Sequence, residues 1–190
     1  DASATNARNV VSALFISLDG VAGSPEKWQF DHFDDDMMAA MSREIADLDT
    51  VLMGRVTYEE WHTYWPTSTD EPYASHINNT PKIVFSNTLD HVDWGQWGKI
   101  RLARSTADEI ARLKQQPGKN IGVTGSVTLV RSLLRDGLLD RLTLLIHSVI
   151  VGRGKRLFEG EGDLQRMELV DSETSRTGVA MLTYQPRRGE

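Results

Sequence analysis

The chain has no cysteine among its 190 residues. A protein without cysteine cannot form disulfides, thiolate metal sites or a cysteine nucleophile. Its five histidines show neither an HExxH motif nor any other metal-ligand spacing, so we expect no metal site. No serine stands in a G-x-S-x-G motif, which gives no support to a hydrolase of that type.

Two further absences bear on partners and location. No apolar run approaches the roughly 18 to 20 residues that span a bilayer, and the polar N-terminus lacks the apolar centre of a signal peptide. The formal net charge is −6, and no cluster of Lys and Arg stands apart from acids. We therefore predict a cytoplasmic protein that binds a small-molecule substrate rather than nucleic acid or a membrane.

The length fits one domain of ordinary size. We expect residues 1–8 to be a disordered or added N-terminal segment and residues 9–186 to form a single domain. Hydrophobic patterns predict strands over 9–18, 50–54, 82–85, 100–103, 120–124 and 141–151, and helices over 37–48, 55–62, 106–115 and 127–135. Residues 167–173 and 179–184 are predicted to pair as a hairpin. This alternation indicates an α/β fold with a mostly parallel central sheet and a C-terminal antiparallel hairpin.

Two strand-to-helix turns contain glycine and carry the main functional hypothesis. The first runs from Gly54 through Arg55 to Thr57, and the second is Gly125-Ser126. Free N–H groups at a helix start favour an anion, and Arg can bind a phosphate through two parallel bonds. We expect the two turns to converge in space, where together they suit a dinucleotide. Alternatively, Thr57 opens a capping box with Arg55 as a solvated charge, and Ser126 caps its helix.

Other polar residues follow strands or open a helix. Ser86 and Asn87 end a strand and suit either an adenosine phosphate or a simple turn. Asp34, Asp35 and Asp36 precede a helix and could bind substrate or donate a proton, with Asp35 and Asp36 as the catalytic candidates. The alternative is that these acids cap the helix and complement its dipole.

The Gly-rich basic loop 152–156 could meet a substrate phosphate or be a solvated turn. The chain has no GxGxxG motif, which disfavours an ordinary NAD-type Rossmann site. The loop from Asp19 to Trp28, rich in Gly and Pro, is expected to be mobile.

From Asn9 to Tyr184 the chain resembles the dihydrofolate reductase superfamily. It resembles more closely the reductase domain at the C-terminus of bifunctional riboflavin-biosynthesis deaminase-reductases. Four segments carry the resemblance: VVSALFISLDGVAG, LDTVLMGRVTYEEW, PKIVFSNTL and IGVTGSVTLVRSLLRDGLLDRLTLLIHSVIVGRGKRLF. The resemblance implies a three-layer dihydrofolate-reductase-like fold, a homodimer and an NADPH site.

Carried over to this sequence, the resemblance implies four groups of cofactor-binding residues. Nicotinamide would be flanked by Ala13, Asp19 and Gly20, phosphates held by Gly54, Arg55 and Thr57, the adenosine 2′-phosphate by Ser86 and Asn87, and the pyrophosphate wrapped by Gly125, Ser126, Val127 and Thr128. Many relatives have Gly-Gly where this chain has Gly125-Ser126. The acid that dihydrofolate reductases carry on the first helix has no clear match here, which disfavours folate as substrate.

The predicted function is NADPH-dependent transfer of hydride to a small heterocycle that is pterin-like or ribosylamino-pyrimidine-like. The loop of residues 19–28 would close over the nicotinamide and exclude water. One alternative is a non-catalytic NADPH-binding or nucleotide-binding regulatory protein. Another is a phosphate-ligand enzyme such as a transferase, which would favour nucleotide triphosphates over NADPH.

Overall fold

The structure is a computed structural model that describes residues 8–29 and 32–187. Within these residues, eight strands and five α-helices follow one another along the chain. The strands are β1 (Val10–Ser17), β2 (Leu48–Gly54), β3 (Lys82–Phe85), β4 (Ile100–Ala103), β5 (Asn120–Gly125), β6 (Arg141–His147), β7 (Met167–Thr174) and β8 (Ala180–Pro186). The helices are α1 (Asp35–Ala46), α2 (Arg55–Trp61), α3 (Tyr73–Asn79), α4 (Thr106–Lys114) and α5 (Val127–Arg135). The predicted α/β fold is confirmed, since most strand pairs are parallel and the antiparallel pairs involve only β6, β7 and β8.

The described residues divide into two compact units. The first unit holds residues 8–10 and 44–126, and the second holds residues 11–29, 32–43 and 127–187. The prediction that one domain spans residues 9–186 stays a prediction.

The first unit contains four parallel strands in the order β4-β3-β2-β5. All four residues of β3 are buried, as is typical of a parallel strand that is covered on both faces. A core cluster packs around these strands and includes Val51, Met53, Tyr58 and Trp94. Because the strands are parallel, their carboxyl ends lie at the same edge, where Gly54 pairs with Phe85 and Phe85 with Ala103.

The second unit contains strands in the order β1-β6-β8-β7. β6 is parallel to β1 and antiparallel to β8, and β8 is antiparallel to β7, which confirms the predicted C-terminal hairpin. Met37 and Ala40 of α1 pack with Leu145, Val179 and Met181 in this unit's core cluster. The first turn of α1 therefore lies on the same unit as the hairpin.

Several predicted boundaries are wrong for local reasons. β6 ends at His147 rather than at residue 151, because the N–H of Val149 turns back to the carbonyl of His147 at 2.8 Å. Helix α4 ends at Lys114, one residue earlier than predicted, and the hydroxyl of Ser105 caps its start by accepting from the N–H of Asp108. The polar segment before β3 forms the seven-residue helix α3.

Arg8 corrects the predicted start of the fold. Its side chain is buried, and its guanidinium donates to the carbonyls of Lys119 at 2.7 Å and Leu113 at 3.0 Å and pairs with the carboxylate of Asp49. Residue 8 is therefore part of the fold, contrary to the prediction. Residues 1–7, predicted to lie outside the fold, are outside the described residues.

Candidate cofactor-binding site

The two glycine turns meet at one edge of the first unit. β2 and β5 are parallel neighbours that pair Met53 with Gly125, so Gly54 and Ser126 follow side by side. A Cβ atom at Gly54 would lie 2.8 Å from the hydroxyl oxygen of Ser126 and 3.2 Å from its nitrogen. Such a contact leaves no room for a side chain at residue 54. The predicted convergence of the two turns is confirmed.

Helix α2 begins directly at the first turn. Gly54 is its N-cap residue, with an extended backbone and no side chain to accept from the first N–H groups. Thr57 is buried within the helix, so the alternative in which Thr57 opens a capping box is wrong. The first-turn N–H groups of α2 therefore receive no cap from the preceding side chain, and such groups are suited to an anion.

Arg55 supplies an exposed cation beside this turn. Its Nη1 lies 2.9 Å from Oε2 of Glu59, and the two side chains are 46 % and 47 % exposed. The contact fits the alternative in which Arg55 is a solvated charge. An exposed pair of this spacing contributes only about 0.3–0.5 kcal/mol, so it costs little to exchange Glu59 for a phosphate. The guanidinium could then form two charge-assisted bonds.

Ser86 and Asn87 follow β3 at the same edge. The hydroxyl of Ser86 accepts from the N–H groups of Thr88 and Leu89, each at 3.1 Å, so Ser86 forms the strand-ending turn that was the simpler alternative. Asn87 is exposed. The ligand role of both residues stays a prediction.

Arg104 is a cation at this edge that the sequence analysis missed. It directly follows β4, and its guanidinium donates to the carbonyls of Ser86 and Leu89, the latter at 2.7 Å. An exposed positive charge is thereby fixed against the turn that holds Ser86. The signal was available in the sequence, since a cation that follows a parallel strand lies at the carboxyl edge of its sheet.

The remaining predicted cofactor residues lie in the second unit. Ala13 is a half-buried residue of β1, and Val127 and Thr128 begin α5. Their roles, like those of Asp19 and Gly20, stay predictions.

Asp19 anchors the loop that follows β1. Its carboxylate accepts from the hydroxyl of Ser17 at 2.5 Å and from the N–H groups of Gly152 at 2.8 Å and Val151 at 3.1 Å. These bonds, with that of Ser17 first, lower the pKa of Asp19 to about 2. The carboxylate thus holds residues 151 and 152 against the loop after β1.

The basic loop 152–156 is tied to the same segment through its backbone. Ala22 donates to the carbonyl of Lys155 at 2.9 Å, and Leu157 donates to the carbonyl of Gly20 at 3.0 Å. A Cβ atom at Gly154, where φ is +120°, would lie 3.0 Å from Val21. This close approach accounts for glycine at residue 154. The two backbone hydrogen bonds show that residues 20–22 are tethered, although the loop that contains them was expected to be mobile.

Two of the three acids at the start of α1 accept hydrogen bonds from other residues of the second unit. Asp34 accepts from the N–H of Met37 at 3.0 Å and from the hydroxyl of Thr177 at 2.9 Å, and the bond from Met37 is the main cause of its lowered pKa. Asp36 accepts from the N–H of Arg176 at 3.0 Å, and Asp35 is exposed. These contacts fit the capping alternative. The proposed catalytic role of Asp35 and Asp36 stays a prediction.

His147 is a second residue that the sequence analysis missed. It ends β6 and is fully buried, with Nδ1 2.8 Å from the carbonyl oxygen of Leu145. Burial is the main cause that lowers its pKa, and the carbonyls of Leu145 and Ile16 oppose the effect. The histidines had been considered only as metal ligands. A titratable residue at the carboxyl end of an apolar strand is the sequence feature that could have identified His147 as a candidate.

The described residues contain neither a metal-binding cluster nor a membrane-spanning helix. Among residues 8–29 and 32–187, no three His, Asp or Glu side chains are grouped so that they could hold a metal ion. None of the helices within these ranges is both long and apolar enough to cross a membrane.

Sequence comparison matches residues 8–181 to a family model described as the RibD C-terminal domain. The chain is also 28% identical over 182 residues to the uncharacterized protein YyaP of Bacillus subtilis (strain 168). That match covers 93% of this chain and 94% of YyaP.

Structural comparison finds reductases among the similar folds. A protein named for riboflavin biosynthesis from Shewanella sp. PV-4 is similar with a TM-score of 0.74 at 24% identity, over 95% of this chain and 99% of that one. Dihydrofolate reductase from Enterococcus faecalis, solved with NADP(H), gives 0.64 at 16% identity over 95% and 97% of the two chains. A diaminohydroxyphosphoribosylaminopyrimidine deaminase/5-amino-6-(5-phosphoribosylamino)uracil reductase from Thermotoga maritima gives 0.68 at 15% identity. The match covers 95% of this chain and 57% of that protein. The predicted dihydrofolate-reductase-like fold is confirmed.

Proposed function

Because the chain belongs to the family of RibD C-terminal domains, we propose that it is an NADPH-dependent oxidoreductase. Its substrate is a small heterocycle, pterin-like or ribosylamino-pyrimidine-like. The reductase-type fold that the chain shares with the Enterococcus and Thermotoga proteins supports this proposal. The protein acts in the cytoplasm.

The observation that carries the proposal is the contact between the two glycine turns. The edge where Gly54 meets Ser126 carries the N–H groups that open α2 and a serine hydroxyl, and Arg55 is the first residue of that helix. This donor set suits a ligand with several phosphates. The cation of Arg104 beside Ser86 adds a second positive group, suited to the extra phosphate that distinguishes NADPH from NADH.

When bound, NADPH supplies the hydride, and the protein contributes binding and orientation. We assign Gly54, Thr57, Gly125 and Ser126 to the pyrophosphate, and Arg55 to the 2′-phosphate. Ser86, Asn87 and Arg104 are assigned to the adenosine side. These residues hold the cofactor in place, which lowers the entropic part of the barrier to hydride transfer.

A calorimetric titration with NADPH, NADH and ATP tests the ligand class. Wild-type protein is expected to bind NADPH most tightly. Arg55→Ala should lose about 10- to 100-fold in affinity for NADPH, because a hydrogen bond to a charged group contributes about 1.5–3 kcal/mol. Affinity for NADH should fall less, so the preference for NADPH shrinks.

Arg112→Ala is the matched control. Arg112 also forms an exposed ion pair within a helix of the first unit, with Glu109 at 2.8 Å, but it belongs to α4. The Arg112→Ala variant should bind NADPH as tightly as the wild type does. An unchanged preference for NADPH in Arg55→Ala would remove Arg55 from the site, and tighter binding of ATP than of NADPH would favour a transferase.

Turnover separates the reductase from a non-catalytic NADPH-binding protein. Consumption of NADPH is followed with a panel of pterins, pyrimidines, flavins and quinones. We expect at least one heterocycle of the pterin or pyrimidine class to be reduced. Binding of NADPH without its consumption by any member of the panel would favour the regulatory alternative.

A further inference from the structure

His147 carries a buried nitrogen that no described residue satisfies. The ring is fully buried in the second unit, and its Nε2 atom has no hydrogen-bond partner among the described residues. A buried polar atom without a partner costs about 1–3 kcal/mol. A ligand that supplies the missing hydrogen bond would remove this cost and so gain binding free energy.

The other ring nitrogen fixes the chemistry of Nε2. Nδ1 lies 2.8 Å from the carbonyl oxygen of Leu145, and a carbonyl oxygen can only accept. Nδ1 therefore carries the proton. In the neutral ring Nε2 is then an acceptor with a free lone pair. The ligand group that matches it is an N–H or O–H donor.

Three aromatic rings surround the imidazole. Their centroids lie 5.2 Å (Trp28), 5.6 Å (His32) and 5.7 Å (Phe15) from that of His147. Phe15 belongs to β1, whereas Trp28 and His32 belong to the segment between β1 and α1. An environment of rings around one polar atom is typical of a pocket for a flat heterocycle.

The rings on the segment are held by few polar contacts. The indole N–H of Trp28 donates to the carbonyl of Gly23 at 3.2 Å, and Nε2 of His32 lies 2.9 Å from the hydroxyl of Ser148. His32 is only partly buried. A planar ligand can take the place of such a ring and keep the aromatic contact.

Gln29 offers the complementary group on the same segment. It follows Trp28, and its side-chain Nε2 is also buried without a partner among the described residues. An amide N–H₂ group donates, whereas Nε2 of His147 accepts. A cyclic amide or imide has both an N–H and a carbonyl, which match these two groups.

We propose that His147 Nε2 accepts a hydrogen bond from the ring N–H of a planar cyclic amide or imide, with Gln29 as donor to its carbonyl. This inference rests on the proposed reductase function and names the chemical class of its substrate. Phe15 and Trp28 supply the apolar walls.

The test compares two probes, of which only one has ring N–H groups that can donate a hydrogen bond. Pteridine-2,4-dione has ring N–H groups, and its 1,3-dimethyl derivative has the same ring without them. The full-length chain should bind the dione about tenfold more tightly than the dimethyl derivative, which corresponds to one missing hydrogen bond at a buried acceptor. His147→Phe should abolish this preference, and Gln29→Leu should weaken binding of both probes because both keep their carbonyls.

His62→Phe is the control, since His62 stacks on Tyr58 in the first unit at 4.6 Å. It should keep the preference. NADPH affinity is measured on every variant, so loss of the dione preference with NADPH binding intact is the expected result for His147→Phe. A preference for the dione without any NADPH binding would contradict the proposed function and leave this inference standing.

NMR of the wild-type chain labelled with nitrogen-15 at histidine gives a second measurement that needs no variant. The Nε2 signal of His147 should be that of an unprotonated nitrogen and should shift with the dione but not with the dimethyl derivative. Equal binding of the two probes, binding of neither, or a His147 signal that no probe moves would overturn the proposal.

Discussion

Gly54 matters both for the geometry of the candidate site and for the stability of the fold. A side chain there would overlap the hydroxyl of Ser126, and the backbone nitrogen of Ser126 is also close. Gly125 has φ of +127°, a conformation that favours glycine, so the second turn also depends on a glycine. The two turns are therefore constrained as a pair.

We predict that Gly54→Ala destabilises the protein by about 1–3 kcal/mol, the range for an extra methyl group in a packed position. It should also weaken NADPH binding. In the double variant with Ser126→Gly the closest contact is relieved, so part of the loss should return. Urea unfolding of the wild type, both single variants and the double variant gives the coupling energy. Strictly additive effects would show that the two residues do not press on each other.

At the scale of elements, α4 is fixed to β4 by one carboxylate. Glu109 on α4 binds Nη2 of Arg101 on β4 at 2.5 Å and Nη2 of Arg112 at 2.8 Å. The bond from Arg101 is the main cause that lowers the pKa of Glu109 to about 2. The charged carboxylate is therefore stabilised in the folded state.

Glu109→Gln should lower the free energy of unfolding at pH 7. The pKa shift alone corresponds to about 3 kcal/mol, and since both arginines are nearly half exposed, solvent screening reduces the expected loss to about 1–2 kcal/mol. The stabilisation is fully present above the unfolded pKa of about 4.5 and is lost as the pH falls towards 2.

Urea unfolding at pH 7, 4 and 2.5 measures this dependence, with Glu60→Gln on the exposed face of α2 as control. The difference between wild type and Glu109→Gln should shrink as the pH falls. A difference that is constant over this range would mean that the ion pairs contribute nothing to stability.

The sequence predicts elements well where their apolar pattern is local. β3 and β4 have the predicted bounds because short apolar runs stand between polar segments, and α5 has them because Gly137, with φ of +70°, stops it. β6 was predicted too long because residues 148–151 are as apolar as a strand. The bond from Val149 to His147 that ends β6 is a turn contact that no periodicity reveals.

In the candidate site, too, some features could be predicted from the sequence and others could not. The meeting of Gly54 with Ser126 was predictable, since the carboxyl ends of parallel strands lie at one edge. Contacts between distant segments were not, because they depend on tertiary packing. The bonds from Gly152 to Asp19 and from Thr177 to Asp34 are of this kind. The burial of His147 Nε2, without a partner among the described residues, also depends on tertiary packing.

At the scale of the whole molecule, we propose that the protein is a homodimer. β7 is the last strand in the order of the second unit, and its Leu169 and Val170 are 51 % and 45 % exposed. An exposed edge strand with apolar side chains is a template for association with a second copy.

Leu169→Lys should shift the protein from dimer to monomer, because a charge at the edge of a strand opposes pairing with a second copy. Leu164→Lys is the control, since Leu164 is 82 % exposed but lies outside β7. Sedimentation equilibrium over a range of protein concentrations gives the mass. A monomeric wild type, or equal effects of the two variants, would place the interface elsewhere or exclude it.

A crystal structure of the chain grown with NADPH would show where the cofactor binds. We expect the pyrophosphate at the edge formed by Gly54 and Ser126, within hydrogen-bond distance of the first N–H groups of α2. The 2′-phosphate should lie within reach of Arg55 or Arg104. Cofactor bound away from the carboxyl ends of β2 and β5, or no cofactor at saturating concentration, would contradict it.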